Sequence, residues 1–160
     1  MLGMGAKDSA LMGAAGEYLV LSRLLSQGQL AAQAPRGTRK VDILVNFLDR
    51  GEPCLIQVKA SSKGRNGWHM QQKHELVRDS DLYYCFVDFE FDHPTVHVIP
   101  ARVVAETLER DHQIWLATPG KMGQPHNDTK LRRLRHNCFG AEEGWMDQYL
   151  EAWHLIAPHR

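Results

Sequence analysis

The stretch VDILVNFLDRGEPCLIQVK, residues 41–59, decides the fold of this chain. Residues 41–48 and 54–59 are rich in aliphatic and β-branched side chains, and residues 49–53 between them contain Asp, Gly and Pro. This pattern predicts a β-hairpin. Successive side chains of a strand point to opposite faces, so one face of the hairpin is expected to be uniformly apolar. That face comprises Ile43, Val45, Ile56 and Val58.

The other face of the hairpin carries Asp42, Gln57 and Lys59. Asp42 lies about eight residues before the centre of the turn and Gln57 about six after it, so they are predicted to be near neighbours across the ladder. A carboxylate, an amide and an ammonium group on a buried side are costly unless they pair or hold an ion. The alternative is an ordinary solvated strand face on which Asp42 and Lys59 form a cross-strand pair.

A helix predicted over residues 8–27 places Glu17 within its apolar stripe, between Leu21 and Leu24. Asp8 and Ser9 are suited to cap the start of this helix, and Gly28 to follow its end. Glu17 is expected to face the protein and to point towards Asp42 and Lys59. Gly13 and Ala14 would let the helix approach the sheet closely. The alternative is that Glu17 reaches the rim of the core or pairs with an arginine.

The remaining elements alternate between strands and helices, with no repeat or interdomain linker. This order predicts one α/β or α+β domain with a central sheet. Helices are expected over residues 69–78, from Pro100 to about Asp111, and over most of the chain from 126 to 158. Strands are expected over residues 82–91 and 95–99.

The composition excludes several classes of protein. The 160 residues suit about one domain, and 19 Lys and Arg balance 19 Asp and Glu, which excludes wholesale electrostatic binding of nucleic acid as by a histone-like protein. No apolar stretch approaches the ~20 residues that cross a bilayer, and the N-terminus does not have the pattern of a secretory signal. Three widely spaced cysteines are typical of reduced thiols, so a cytoplasmic protein is expected.

Glu17 on a helix, Asp42 on a strand and Gln57-Val58-Lys59 on the next strand together resemble the PD-(D/E)XK nuclease superfamily, most closely its small restriction-endonuclease-like and Holliday-junction-resolvase-like domains. The resemblance extends over about residues 10–105. It implies an αβββαβ core, with a central mixed sheet flanked by helices, over about residues 8–111. Extra C-terminal helices would occupy about residues 112–160.

The resemblance also implies hydrolysis of phosphodiester bonds with Mg²⁺ or Mn²⁺. By the family pattern, Asp42 would be the principal metal ligand, Glu17 a supporting one, and Val58 would contribute its backbone carbonyl. Hard divalent cations select such oxygen ligands. Lys59 could orient the attacking water, accept its proton or stabilise phosphate charge, and the sequence does not choose among these roles.

Gln57 departs from the superfamily pattern, in which an acidic residue usually occupies this position. An amide oxygen can coordinate Mg²⁺ but brings no charge, so a second metal site would be weaker. The favoured function is a metal-dependent endonuclease that acts on DNA rather than RNA. The alternative is a catalytically weak or inactive module of the same fold that binds nucleic acid or assembles with a partner. A homodimer is compatible with the resemblance, although no segment identifies an interface.

Positive side chains near the predicted site are the candidates for contacts with phosphates. They fall into three groups, before the Asp42 strand, after the Lys59 strand, and in a run near the C-terminus whose alternative is a solvated helix face. The candidates are Arg36, Arg39 and Lys40; Lys63, Arg65 and Lys73; and Arg132, Arg133 and Arg135.

Overall fold

A computed structural model describes residues 6–48 and 52–156 of the chain. It contains two α-helices, seven strands and several short 3-10 turns. The helices are α1 (Ala6–Ser26) and α2 (Ala101–Ala117). The strands are β1 (Leu30–Gln33), β2 (Ile43–Asn46), β3 (Cys54–Ser61), β4 (Trp68–Gln71), β5 (Leu82–Asp88), β6 (Thr95–Pro100) and β7 (Leu131–Leu134).

Five strands form a mixed central sheet in the order β1-β2-β3-β5-β6. Strands β3 and β5 are parallel, and the other neighbours are antiparallel. Strands β4 and β7 form a separate antiparallel pair. This mixed architecture confirms the predicted fold class. No helix in the described part of the chain combines the length and the apolar character needed to cross a membrane.

The predicted hairpin is the antiparallel pair β2–β3. Ile43 lies opposite Ile56, and Leu44 lies opposite Leu55. The predicted apolar face is buried at Ile43, Val45 and Ile56 but only half-buried at Val58, and Leu44 and Leu55 on the other face are half-buried as well. Of the predicted turn, residues 49–51 lie outside the described residues.

Helix α1 packs on the apolar face of this hairpin. A methyl group added to Gly16 would lie 2.8 Å from the Ala60 Cβ, so the closest approach of helix and sheet is at Gly16 and not, as predicted, at Gly13. The helix begins before Asp8 and Ser9, so these residues do not cap it. Its end is as predicted. Gly28 has a φ of 78°, and its N–H donates to Leu25 O, which satisfies a terminal carbonyl of the helix.

The sheet separates two hydrophobic clusters. One cluster joins α1 to β2, β3 and the C-terminal residues Ala152, Trp153 and Ile156. The other joins β4, β5, β7 and α2, and includes Trp68 and Tyr84. Pro100 immediately precedes α2, as predicted, and the helix continues six residues beyond Asp111. Leu55, which shares a face of β3 with Gln57 and Lys59, packs against the second cluster. The polar face of β3 therefore lies on the α2 side of the sheet.

Two predictions of secondary structure are wrong, and one strand is missing from the predictions. Residues 69–78 begin as strand β4 and continue as a 3-10 turn over Gln72–Leu76, because residues 68–71 alternate between buried and exposed positions. Beyond Ala117, the expected C-terminal helices are replaced by β7 and the short 3-10 turns Asp147–Tyr149 and Trp153–Leu155. The edge strand β1 was not predicted at all, because LAAQ has little β-propensity of its own.

Candidate active site

Asp42 lies at the point where β2 and β3 separate. Its main-chain N–H donates to Ile56 O over 2.8 Å, which continues the ladder by one residue. The next bond comes from the side chain, since Val58 N–H donates to Asp42 Oδ2 over 2.7 Å. The carboxylate therefore takes the place of a main-chain acceptor at the opening of the sheet. Continuing the register of the two strands puts Gln57 opposite Asp42, as the sequence predicts.

Glu17 lies on one side of this opening. It lines a cavity of about 320 Å³ together with Asp42, Tyr18 and Arg36. Its pKa is raised, first because burial disfavours the charged form and second because the Asp42 carboxylate repels it. The helix and the hairpin thus bring two carboxyl groups within electrostatic reach of each other, and a cation between them would relieve both effects.

Gln57 and Lys59 lie on the other side and line a larger cavity of about 540 Å³. The cavity is strongly positive, because Lys59 is joined there by Arg39, Lys40 and Lys73, while none of the described residues that line it is acidic. None of these four cations forms a salt bridge with a described residue. We call this space the cationic cavity.

Lys59 and His74, two side chains of the cationic cavity, have lowered pKa values. Burial lowers the pKa of Lys59, an effect that Asp42 opposes and Lys73 adds to. The pKa of His74, whose ring is buried in the cavity wall, is lowered to about 4, first by burial and next by the positive charge of Lys59. Lys73 and Lys40 lower it further. An anion in this cavity would therefore be stabilised by several converging charges.

The donor atoms around Asp42 fit a hard divalent cation. The Oε1 atom of Gln57 is buried and has no hydrogen-bond partner among the described residues, so a ligand would satisfy it. Within the described part of the chain, no cluster of three or more His, Cys, Asp or Glu side chains suits a metal. The available set is two carboxylates, one amide and a backbone carbonyl, and Mg²⁺ commonly binds through one or two carboxylates while it keeps several waters.

The four predicted catalytic side chains do not line a single cavity. Glu17 and Asp42 line the smaller one, and Gln57 and Lys59 line the cationic cavity. Asp42 links the two, because its charge acts on the pKa of both Glu17 and Lys59. The opening of the sheet at Asp42 is thus the place where all four could act on one group.

The predicted phosphate-binding residues separate into distinct environments. Arg39, Lys40 and Lys73 line the cationic cavity, and Arg36 lines the smaller one. Lys63 is exposed beside the Gly64–Asn66 turn, where its neighbour Arg65 forms an ion pair with Glu90 at 2.7 Å.

Arg132 and Arg133 lie on strand β7 and Arg135 directly follows it, so the run is not the solvated helix face that was the alternative from the sequence. Arg132 is buried and its guanidinium binds the Glu75 carboxylate and the Thr129 carbonyl, so it is not available to a phosphate. Arg135 is paired with Asp111 at 2.9 Å. Arg133 points outward, and its guanidinium lies 3.5 Å from the Nε2 atom of His69.

Strand β4 contributes wall residues that the sequence analysis missed. His69, Met70 and Gln71 all line the cationic cavity, and His74 follows them in the next turn. The sequence WHMQ alternates apolar and polar residues, which is the signal of a half-buried strand. A strand of four residues is too short for this alternation to distinguish it from the start of a helix.

No protein-family model matches the sequence, and no curated protein matches it. Among solved structures, the chain is similar to that of a bacterial homing endonuclease, I-Ssp6803I. The TM-score is 0.55, the sequence identity is 17%, and the match covers 96% of this chain and 92% of the other. At that identity the likeness concerns the fold, which the two chains share over nearly their whole length.

Proposed function

We propose that this protein is a metal-dependent endonuclease of the PD-(D/E)XK type that hydrolyses phosphodiester bonds of nucleic acid, with DNA as the preferred substrate. The observation that carries the proposal is the position of Asp42 at the opening between β2 and β3, with Glu17 on one side and Lys59 on the other. The fold shared with a homing endonuclease supports it.

In this proposal, Asp42, Glu17, Gln57 and the Val58 carbonyl would hold Mg²⁺ or Mn²⁺. The cation, when bound, supplies a Lewis acid that acidifies water and offsets phosphate charge. Lys59 stands beside the reacting phosphate. Its lowered pKa suits it to accept a proton from water, and its charged form suits it to stabilise the phosphate oxygens.

The cationic cavity supplies the binding energy for the phosphate backbone. Arg39, Lys40 and Lys73 surround Lys59 without a competing carboxylate among the described lining residues. Each of these contacts would release a counterion from the nucleic acid, which makes binding dependent on salt. A homodimer, which would cut both strands of a duplex, is part of the proposal and is tested by light scattering.

The decisive test is the variant Asp42→Asn, which keeps an oxygen acceptor for the Val58 N–H but removes the charge. We expect plasmid cleavage in Mg²⁺ or Mn²⁺ to fall by about 10³-fold, because a metal ion contributes several kcal/mol and each 1.36 kcal/mol is a factor of ten. Calorimetric titration with Mn²⁺ should show binding to the wild type and none to the variant. Thermal unfolding checks that the fold is retained.

A matched control is Arg102→Ala, on the exposed side of α2, which should leave cleavage unchanged. Equal cleavage by wild type and Asp42→Asn, with metal still required, would remove Asp42 from the mechanism. If the wild type binds DNA but neither binds Mn²⁺ nor cuts, the non-catalytic module becomes the better account.

A further inference from the structure

The β4–β7 pair has one face on the core and one face outward. Trp68, Met70 and Leu134 are at most 2% exposed and anchor the pair to the hydrophobic cluster below. Every alternate residue points outward, and the register places His69 opposite Arg133 and Gln71 opposite Leu131. We call these four side chains the ribbon face.

The ribbon face is continuous with the cationic cavity. His69, Gln71 and Leu131 line that cavity. His69 and Leu131 also line a second cavity of about 240 Å³, together with Arg133 and Trp115. A polymer whose phosphate lies in the cationic cavity would therefore continue across the ribbon face and into the second cavity.

The side chains of the ribbon face are chemically suited to contact base edges as well as phosphates. Arg133 is exposed, and the only hydrogen bonds of its guanidinium to described residues are long, at 3.3 Å to Asn66 O and 3.5 Å to His69 Nε2. Its planar fork is the side chain that most often pairs with the O6 and N7 atoms of guanine. Leu131 is 71% exposed although it is apolar, and an apolar side chain at such a position can contact the thymine methyl group.

We propose that the ribbon face enters the major groove of duplex DNA and reads base edges, with Arg133 and His69 as the specificity-determining residues. The inference rests on the proposed endonuclease function, since it makes the substrate a duplex that is recognised by sequence beside the site of cleavage. The major groove of B-DNA is wide enough for a two-stranded ribbon. The major groove of an RNA duplex is too deep and narrow, so duplex RNA is not the substrate.

The test selects binding sites from a randomised DNA duplex library with the wild-type protein in EDTA, so that no chemistry is required. The wild type should enrich a preferred sequence. Arg133→Lys keeps the charge but loses the fork, so it should bind random duplex with an unchanged salt slope and lose discrimination at one or two positions by about 5- to 150-fold. His69→Ala should relax a neighbouring position, and Arg102→Ala should preserve the whole preference.

Several results would overturn the inference. These are an unenriched library after selection by the wild type, an Arg133→Lys variant with the full preference, or equal selection from a library of duplex RNA. Cleavage in Mg²⁺ is measured separately on the selected duplex. A protein that selects a sequence through Arg133 but cuts nothing supports the ribbon face and overturns the nuclease function. A protein that cuts DNA with no preference overturns the ribbon face alone.

Discussion

Two groups of positive side chains lie near each other and have opposite environments. In the cationic cavity, Lys59 and Lys73 face a common space and form no salt bridge with a described residue. On β7 and just after it, Arg132 is paired with Glu75 and Arg135 with Asp111. A paired arginine has its charge compensated within the fold, whereas cations that converge on one space without a salt-bridge partner attract an anion. The density of positive charge in a sequence does not distinguish these cases, but the presence of a partner carboxylate does.

The largest effect is expected from removing Arg132, because loss of a buried, paired cation should lower the stability of the fold. The side chains of Arg132 and Glu75 are 4% and 15% exposed. Arg132→Ala leaves the Glu75 charge without its partner, so we expect the free energy of unfolding to fall by about 3 kcal/mol. Urea denaturation measures this. The neighbouring exposed Arg133→Ala is the matched control and should cost much less.

A double variant keeps this prediction testable even if Arg132→Ala does not fold. Arg132→Met combined with Glu75→Leu removes both charges and preserves volume, so it should recover most of the lost stability. An Arg132→Ala variant as stable as wild type would mean that the buried pair contributes nothing, and that the distinction between paired and unpaired cations is unfounded.

The cations of the cavity should behave in the reverse way, with binding affected and stability preserved. Lys40→Ala and Lys73→Ala should each weaken binding to a DNA duplex and lower the slope of log affinity against log salt by roughly 0.9. Fluorescence anisotropy over a salt series measures the slope, and Arg102→Ala, already paired with Glu106, should leave it unchanged. An unaltered slope in both lysine variants would show that the cavity does not hold phosphates.

The sequence predicts the hairpin and the place of Asp42 opposite Gln57 because their determinants are local. Alternation assigns the buried face of β2–β3, and the number of residues on each side of the turn brings Asp42 opposite Gln57. The same reasoning fails at β7, where the alternation is inverted. Arg132 is buried and Leu131 is exposed, because the partner strand β4 comes far earlier in the chain and the turn that follows β4 places Glu75 against Arg132. No local pattern contains that information.

No described residue that lines the cationic cavity is acidic, and a single substitution can change this. Gln57→Glu places a charge near Asp42 and Lys59 at almost constant volume. Without metal, attraction of the new carboxylate to Lys59 and the other cations of the cavity should offset its repulsion by Asp42, so the stability should stay within about 1 kcal/mol of the wild type, the Coulomb energy of two charges ~4 Å apart in water. With metal, the added charge should tighten Mn²⁺ binding and give cleavage equal to or above that of wild type. Calorimetric titration measures the affinity for Mn²⁺, and plasmid cleavage measures the activity. An unchanged Mn²⁺ affinity would exclude Gln57 from the metal site.

The smallest expected effect concerns the pKa of His74, which neighbouring lysines of the cavity lower in addition to burial. The folded-state pKa is about 4 and the ordinary value is 6.5, so in the window between them the unfolded chain binds a proton that the folded chain does not. The contribution of His74 to stability is therefore complete above about pH 6.5 and is lost as the pH falls towards 4. Burial is the main cause, and Lys59, Lys73 and Lys40 add to it.

Lys73→Ala should raise the pKa of His74 without restoring it to 6.5, because the burial of the ring is unchanged. Titration of the His74 ring by NMR measures the shift directly. Stability at about pH 5 should then fall less, relative to about pH 7, in the variant than in the wild type. The difference isolates His74, because His97, the other buried histidine with a pKa of about 4, is not acted on by Lys73. A His74 pKa that is the same in both proteins would mean that the charge of Lys73 does not reach the ring, and Lys73 would then not belong to the converging field of the cavity.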